Sequence, residues 1–361
     1  MSSIPLTRAD VIIGVDTHKQ QHVAAAIDGH GGTVGEPVTI DATPDGYAAL
    51  VAWATGLGTV FSFGVEGCGS YGSGLARYLR RHGFRVEEVA RPPRNSERRL
   101  AGKNDAIDAE HAARAVLAGG QTATPKVREG TVEAIRVIKI ARDSAVKQRA
   151  TTMITLKTVL VTAPDVTRAA LEKLSDRELI AGCVALNTAA KPDDPQNASS
   201  HALHALARRH EMLSVEIDSH TTLLEELTAT AAPDLVAVYG VGPDSAAELL
   251  ACAGENTSRI RSEAAFAKMC GVCPIPAGSG QTNGRHRLFR GGNRQANAAL
   301  YRIVIVRMRW HPKTIAYVDR RTAEGLSKKD IIRCLKRYVA REIYQALPQD
   351  QTIEHRYDPA A

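Results

Sequence analysis

The chain is 361 residues long, enough for two or three domains with cores of their own. Hydrophobic residues at 44% and charged residues at 24% exclude wholesale disorder and fibrous repeats. The net charge of +7 is unevenly spread: residues 1–128 carry +1, residues 129–280 carry −4 and residues 281–361 carry +10. The excess runs from Arg285 to Arg341 and has two readings, a polyanionic partner such as nucleic acid or a solvated helical face. No apolar run approaches the roughly 18 residues that cross a bilayer, and Met1–Asp10 lacks the apolar core of a leader, so no membrane association is expected. The six cysteines are too scattered for a disulfide framework, which points to a reducing cytoplasm.

In chain order, Val11–Asp16, His22–Asp28 and Thr33–Ile40 read as strands separated by Gly-rich turns. Thr43-Pro44-Asp45 reads as a helix start, with a capping hydroxyl, proline at the first helical position and an acid at the positive dipole end. Thr59–Glu66 follows as a strand, Tyr71–His82 as a helix, Phe84–Val89 as a strand and Asn104–Leu117 as a helix. Early strands followed by alternating helices and strands predict an α/β domain on a mixed sheet over residues 1–128.

Strand signals then stop. Val132, Ile135 and Ile138 open a helical stripe, and Asn187–Ser200, with Pro192 and Pro195, reads as a loop. Leu203, Leu206, His210, Leu213, Ile217, His220, Leu224 and Leu227 are spaced alternately three and four apart. That is a coiled-coil seam, to be buried against a helix of the same chain or of a second subunit. Residues 129–232 are thus expected to form a helical coiled-coil region. A further helical domain is expected over 233–345, with 346–361 as a tail. It opens on Tyr239-Gly240-Val241-Gly242, which has the form of a helix-hairpin-helix turn whose Gly240 and Gly242 let backbone N–H groups face a phosphate. Any tight helix–helix connection uses such glycines as well.

Four acids are the main chemical constellation. Asp16 closes the first strand, Glu66 closes a later one, and Asp105 and Asp108 lie three apart on one helical face. Carboxylates converging from two strand ends and one helix make an all-oxygen site suited to Mg²⁺ or Mn²⁺, and paired ions clamp both oxygens of a phosphodiester exchange. Each acid alone also reads as a surface or capping residue. Ser279 stands between Gly278 and Gly280, sterically open as a nucleophile must be, with Arg285, Arg287 and Arg290 close behind to neutralise phosphate. By itself a Gly-Ser-Gly is a flexible loop, and no base stands beside it. Cys270-Gly271-Val272-Cys273 is a lone pair without zinc spacing, and His18, His22 and His286 stand isolated, so none is assigned as a ligand.

Together these residues resemble the DEDD transposases of the insertion-sequence 110 family. The resemblance rests on Gly14–Lys19, Val65-Glu66-Gly67, Lys103–Ala109, the Tyr239–Gly242 hairpin, and Cys270–Asn297 with Ser279-Gly280 and Arg290-Gly291-Gly292-Asn293-Arg294. It implies an RNase H-like N-terminal domain, akin to Holliday-junction resolvases, whose Asp16, Glu66, Asp105 and Asp108 bind Mg²⁺. It implies a C-terminal transposase domain in which Ser279 attacks DNA to form a covalent phosphoserine. It further implies donor and target DNA as partners, a structured guide RNA, and a dimer or tetramer paired through the coiled coil. The basic residues Arg285, Arg287, Arg290 and Arg294, with Gly240 and Gly242, are the expected nucleic-acid contacts. Aromatic residues at 4% give base-stacking platforms little support. The rival readings are a junction-resolving endonuclease that activates water with the same acids, and a non-catalytic nucleic-acid-binding protein.

Overall fold

The computed structural model describes residues 6–90, 104–119, 122–279 and 286–349. They form two compact units. The first comprises the chain up to Arg128 together with Gly254–Arg261, and the second comprises Glu129–Ala253 and Ser262–Pro348.

The first unit is built on a six-stranded sheet in the order β3-β2-β1-β4-β5-β6. Strands β1 (Asp10–Thr17), β2 (Gln21–Asp28) and β3 (Thr33–Asp41) form an antiparallel meander. Strand β4 (Thr59–Glu66) runs parallel to β1, β5 (Val86–Val89) runs parallel to β4, and the short β6 (Thr122–Ala123) closes the edge antiparallel. This is the expected mixed sheet. Helices α1 (Pro44–Leu57) and α2 (Ser73–Arg81) cover one face, where Val11, Ile13, Val15, Phe63 and Val65 join Leu50, Leu75 and Leu79 in one buried cluster. Helix α3 (Asp105–Ala118) covers the other, with Ile12, Ile27 and Val89 under Ala112, Ala113 and Val116. Strand side chains alternate between faces, so the even-numbered positions of β1 look toward α3.

Caps set the helix bounds. Thr43 accepts from the Gly46 amide at 3.2 Å ahead of α1, and Asn104 accepts from the Ala106 amide at 3.0 Å ahead of α3. Helix α2 begins at Ser73 rather than at Tyr71, because the Ser70 and Gly72 amides turn back onto the Gly67 carbonyl at 2.8 and 3.1 Å. Gly67 itself has φ +62, the left-handed region that costs glycine least.

In the second unit, α4 (Thr131–Thr162) and α7 (Pro195–Ala231) form a long antiparallel pair, with α5 (Asp165–Leu171) and α6 (Asp176–Val184) between them in sequence. Leu156 and Leu160 pack with Leu203 and Ala207, while Ala145 packs with Leu213 and Ile217. Leu203, Leu213, Ile217 and Leu224 of the stripe are buried within the chain, while Leu206, His210 and His220 are half-buried. The loop expected over 187–200 ends sooner, because Asp194 accepts from the Gln196 and Asn197 amides at 2.8 and 3.0 Å and Pro195 takes the first helical position. Helices α8 (Pro233–Ala237), α9 (Pro243–Ala253), α10 (Glu263–Met269), α11 (Arg294–Trp310), α12 (Pro312–Ala323) and α13 (Lys328–Ala346) complete the unit, with a ribbon of β7 (Pro274–Pro276) and β8 (His286–Leu288). Among the described residues, no helix is long and apolar enough to cross a membrane.

A buried charge network ties α4 to α9 and α11. Lys139, 5% exposed, meets Asp143 at 3.0 Å, Asp244 at 2.8 Å and Glu248 at 3.5 Å. Arg142 and Arg302 each reach Asp244 at 2.9 Å. Burial works against the Asp244 carboxylate, yet the hydrogen bond and charge of Lys139, with Arg302 and Arg142 beside it, outweigh burial and hold its pKa below the ordinary aspartate value. Burial pushes Glu248 the other way, above the ordinary glutamate value.

Two predictions follow from packing and charge. A Cβ at Gly14 would stand 1.9 Å from the Ala109 carbonyl oxygen, so Gly14→Ala forces α3 off the sheet. The expected cost is on the order of 3 kcal/mol in urea unfolding, with hydrogen-exchange protection lost first in β1 and α3. Asp244→Asn leaves Lys139 with fewer partners and is expected to cost roughly 3 kcal/mol at neutral pH. Because the folded Asp244 holds its proton less tightly than the unfolded one, its contribution is complete above the unfolded aspartate value and is lost as pH falls through the lower folded value. Chemical denaturation across the acid range should therefore show a shallower decline in Asp244→Asn than in the parent chain.

Candidate functional site

The acidic site begins with two glycines. Gly14 of β1 and Gly64 of β4 are paired in register. A Cβ on Gly14 would lie 2.4 Å from the Ala113 amide nitrogen, and one on Gly64 would lie 2.9 Å from the Ala112 carbonyl and 2.6 Å from Val116 Cγ2. Helix α3 thus lies directly on bare backbone, and its own contact residues Ala109, Ala112 and Ala113 are small. Asp16 and Glu66 each come two positions after a glycine, so they share its face of the sheet, toward α3. The Val15–Val65 pairing makes the two acids neighbours across β1 and β4.

Asp16 and Glu66 are 8% and 6% exposed, and both line a cleft of about 590 Å³ at the strand ends. Its walls also include Thr17, Ser70 and Tyr71, with Glu88 of β5 and Thr122 of β6. The buried Thr17 hydroxyl donates to the Glu66 carbonyl at 2.9 Å and joins the two strand ends. Behind the cleft, burial pushes the Cys68 thiol up to about 12, which keeps it protonated and unreactive at neutral pH.

Asp105 and Asp108 occupy the first turn of α3, where the helix dipole favours negative charge even without a ligand. Asp105 is drawn to Asp16 through His18: the imidazole Nε2 lies 3.3 Å from Asp16 Oδ2 and 3.3 Å from Asp105 Oδ2. One donor atom each from Asp16, His18 and Asp105 falls within 4.8 Å of the others. Asp108, 7% exposed, lies three residues on in the same first turn and is not among the three grouped donors. Asp16, His18 and Asp105 thus form one group of two carboxylates and a ring nitrogen, a donor set that fits a divalent cation, with Glu66 beside Asp16 in the cleft.

Two of these residues escape a reading of the sequence. His18 looks isolated in the chain, yet its amide donates to the Gln21 carbonyl at 3.0 Å across the β1–β2 turn, which fixes it beside Asp16. Glu88 reaches the cleft because β5 lies next to β4 with Glu66 opposite Val89. A histidine two residues after a strand-end aspartate is a usable signal for the first, whereas nothing local marks the second. His22 stays structural, fully buried and stacked on Tyr47 with ring centroids 5.9 Å apart.

Ser279 belongs to the second unit, exposed three residues beyond β7. Arg285 and the expected Gly280 lie outside the described residues. Arg287 on β8, Arg290 after it and Arg294 at the head of α11 are all exposed. The ribbon is held by a tight clasp: a Cβ on Gly292 would meet the Gly271 nitrogen at 2.2 Å, and the Asn297 amide donates to the Cys270 and Gly271 carbonyls at 3.0 and 2.9 Å. Lys336 in turn donates to Asn297 Oδ1 at 2.8 Å. Cys270 is buried within this clasp. Gly240, with φ +81, turns the chain between α8 and α9, and Gly242 has open space where a side chain would be.

The C-terminal charge is not all available to a partner. Arg307 is 5% exposed, donates to the Tyr239 carbonyl at 2.8 Å and pairs with Glu342 at 2.7 Å. Arg337 and Arg341 pair with Glu263 at 3.0 and 2.7 Å.

Comparison with known proteins gives two family matches. Residues 13–163 match the DEDD transposase model of IS110-type elements, described as a transposase, and residues 234–319 match the transposase IS116/IS110/IS902 family. The chain is 25% identical over 162 residues to the insertion element IS900 uncharacterized 42 kDa protein of Mycobacterium paratuberculosis, a match covering 44% of this chain and 40% of that protein. It is 30% identical over 124 residues to the insertion element IS110 uncharacterized 43.6 kDa protein of Streptomyces coelicolor, covering 34% of this chain and 30% of that one. The chain therefore spans less than half the length of either curated relative in the matched stretch.

Proposed function

The chain belongs to the IS110 family of transposases, and from that premise we propose that it is a metal-dependent DNA recombinase of a mobile element. The observation that carries this reading is the convergence of Asp16, Glu66 and Asp105 at one end of a mixed sheet, two of them in a shared cleft and the third joined through His18. An antiparallel meander continued by parallel strands is the topology an RNase H-like domain requires, which supports that assignment for residues 1–128.

Asp16, Glu66, Asp105 and Asp108 would hold Mg²⁺ or Mn²⁺. A bound ion supplies charge neutralisation on the phosphate and a lowered pKa for the attacking hydroxyl. Ser279 is the proposed nucleophile. Its Oγ forms a bond to phosphorus as a P–O bond to a deoxyribose breaks. Attack by a hydroxyl of the incoming strand then restores a phosphodiester and releases the serine, so the exchange needs no water and no ATP. Exposed Arg287, Arg290 and Arg294, with Arg285, are proposed to grip DNA phosphates near the serine, and Gly240 and Gly242 to approach them through backbone N–H groups. A structured guide RNA, a dimer or tetramer of the chain, and a cytoplasmic setting complete the reading. The setting agrees with the six free thiols.

Ser279→Ala should abolish both the covalent protein–DNA adduct and strand rejoining in a reconstituted reaction, and Asp16→Asn should abolish cleavage itself. Cleavage without adduct in the parent chain would instead favour a junction-resolving nuclease that activates water. Replacing Arg287 and Arg290 together should flatten the dependence of DNA affinity on salt by about one slope unit for each lost phosphate contact, read from binding isotherms at several salt concentrations.

A further inference from the structure

Beside the acidic cleft, between Asp16 and Asp105, stands one donor that an all-oxygen magnesium site would not need. His18 Nε2 lies at the same distance, 3.3 Å, from Asp16 Oδ2 and from Asp105 Oδ2. The atom is shielded from solvent and makes an aligned hydrogen bond to neither oxygen. An imidazole that served only as a hydrogen-bond bridge would point its N–H along the line to one carboxylate. A nitrogen flanked evenly by two oxygens and aligned with neither has instead the arrangement of donors around a shared cation.

The spacing agrees. Donors bound at about 2.1 Å to one ion stand roughly 3.0 Å apart at octahedral angles and about 3.4 Å apart at tetrahedral ones. The two nitrogen–oxygen distances of 3.3 Å fall in that interval. The backbone supports the placement: the β1–β2 turn closes on the His18 amide, and Asp105 is fixed by the Asn104 cap at the head of α3.

We propose that His18 is a nitrogen ligand of the divalent cation held by Asp16 and Asp105 and biases the site toward a transition-series ion, Mn²⁺, over Mg²⁺. Resting on the metal role proposed for the acids, it adds a determinant of which ion they hold. Mg²⁺ keeps oxygen donors and several waters in a strict octahedron, whereas Mn²⁺, itself well served by carboxylates, opens the first-row series along which affinity for a mixed nitrogen and oxygen site rises.

The test is direct binding of each ion to the full chain at one fixed neutral pH, by calorimetry and by electron paramagnetic resonance of Mn²⁺, with thermal melts confirming that each variant is folded. His18→Ala is expected to weaken Mn²⁺ binding roughly tenfold or more while Mg²⁺ binding changes by less than about threefold. His18→Asp, which replaces nitrogen with oxygen, is expected to retain Mg²⁺ and lose the preference for Mn²⁺. Asp16→Asn is expected to weaken both ions. If Asp16→Asn weakens both ions but His18→Ala changes neither, or lowers both equally, the assignment of His18 is overturned while the acidic metal site stands. If the parent chain binds neither ion, or Asp16→Asn is without effect, the metal site itself fails and His18 with it.

Discussion

The first unit depends on the contact between a helix and two strands that carry no side chain at the point of touch. Gly14 and Gly64 lie side by side on β1 and β4, and α3 rests on them through Ala109, Ala112 and Ala113. A methyl group at either glycine would overlap helix backbone. Close-packed interiors leave no slack for such an overlap, so the helix axis is fixed in height above the sheet. That height sets where the first turn of α3 falls, and hence how near Asp105 comes to Asp16. Site geometry and core packing are here one constraint, because the acids follow the glycines by two residues on the same face.

The second unit solves a different problem, the presentation of an exposed segment from an irregular region. The ribbon of β7 and β8 is only three residues wide on each side. It gains definition from the Gly271–Gly292 contact and from Asn297, which spends its amide on two backbone carbonyls and its oxygen on Lys336. The residues that carry the family resemblance between Cys270 and Asn297 are thus partly a mechanical clasp. Farther along, the Lys139 network couples α4 to α9 and α11, and removing any one charge leaves others buried with too few partners.

Much of the fold is legible in the chain. The first five strands of the first unit, the cap at Thr43 and the apolar stripe of α7 are local signals, and local signals survive folding; the Asn104 cap and the short β6 are not read from the chain. Asp16 and Glu66 stand out in the chain as acids at strand ends, and Asp105 and Asp108 as acids three apart on one helical face. What the chain conceals is contact across distance. His18 gains meaning only when α3 brings Asp105 back to β1, and Glu88 only when β5 pairs with β4. The basic C-terminal segment shows the same limit in reverse. Its arginines look alike in sequence, yet Arg307 is buried against a carbonyl and a carboxylate while Arg287 and Arg290 face solvent.

The direction in which β1 and β4 run has its own consequence. With the strands side by side and pointing the same way, residues two steps past a matched pair stay matched, about 4.8 Å apart. Had the two strands run head to tail, the same glycine pairing would have sent Asp16 and Glu66 to opposite rims of the sheet, about 13 Å apart. One geometric choice, made by the crossover through α1, decides whether these two negative groups repel at close quarters and invite a counter-charge or never meet.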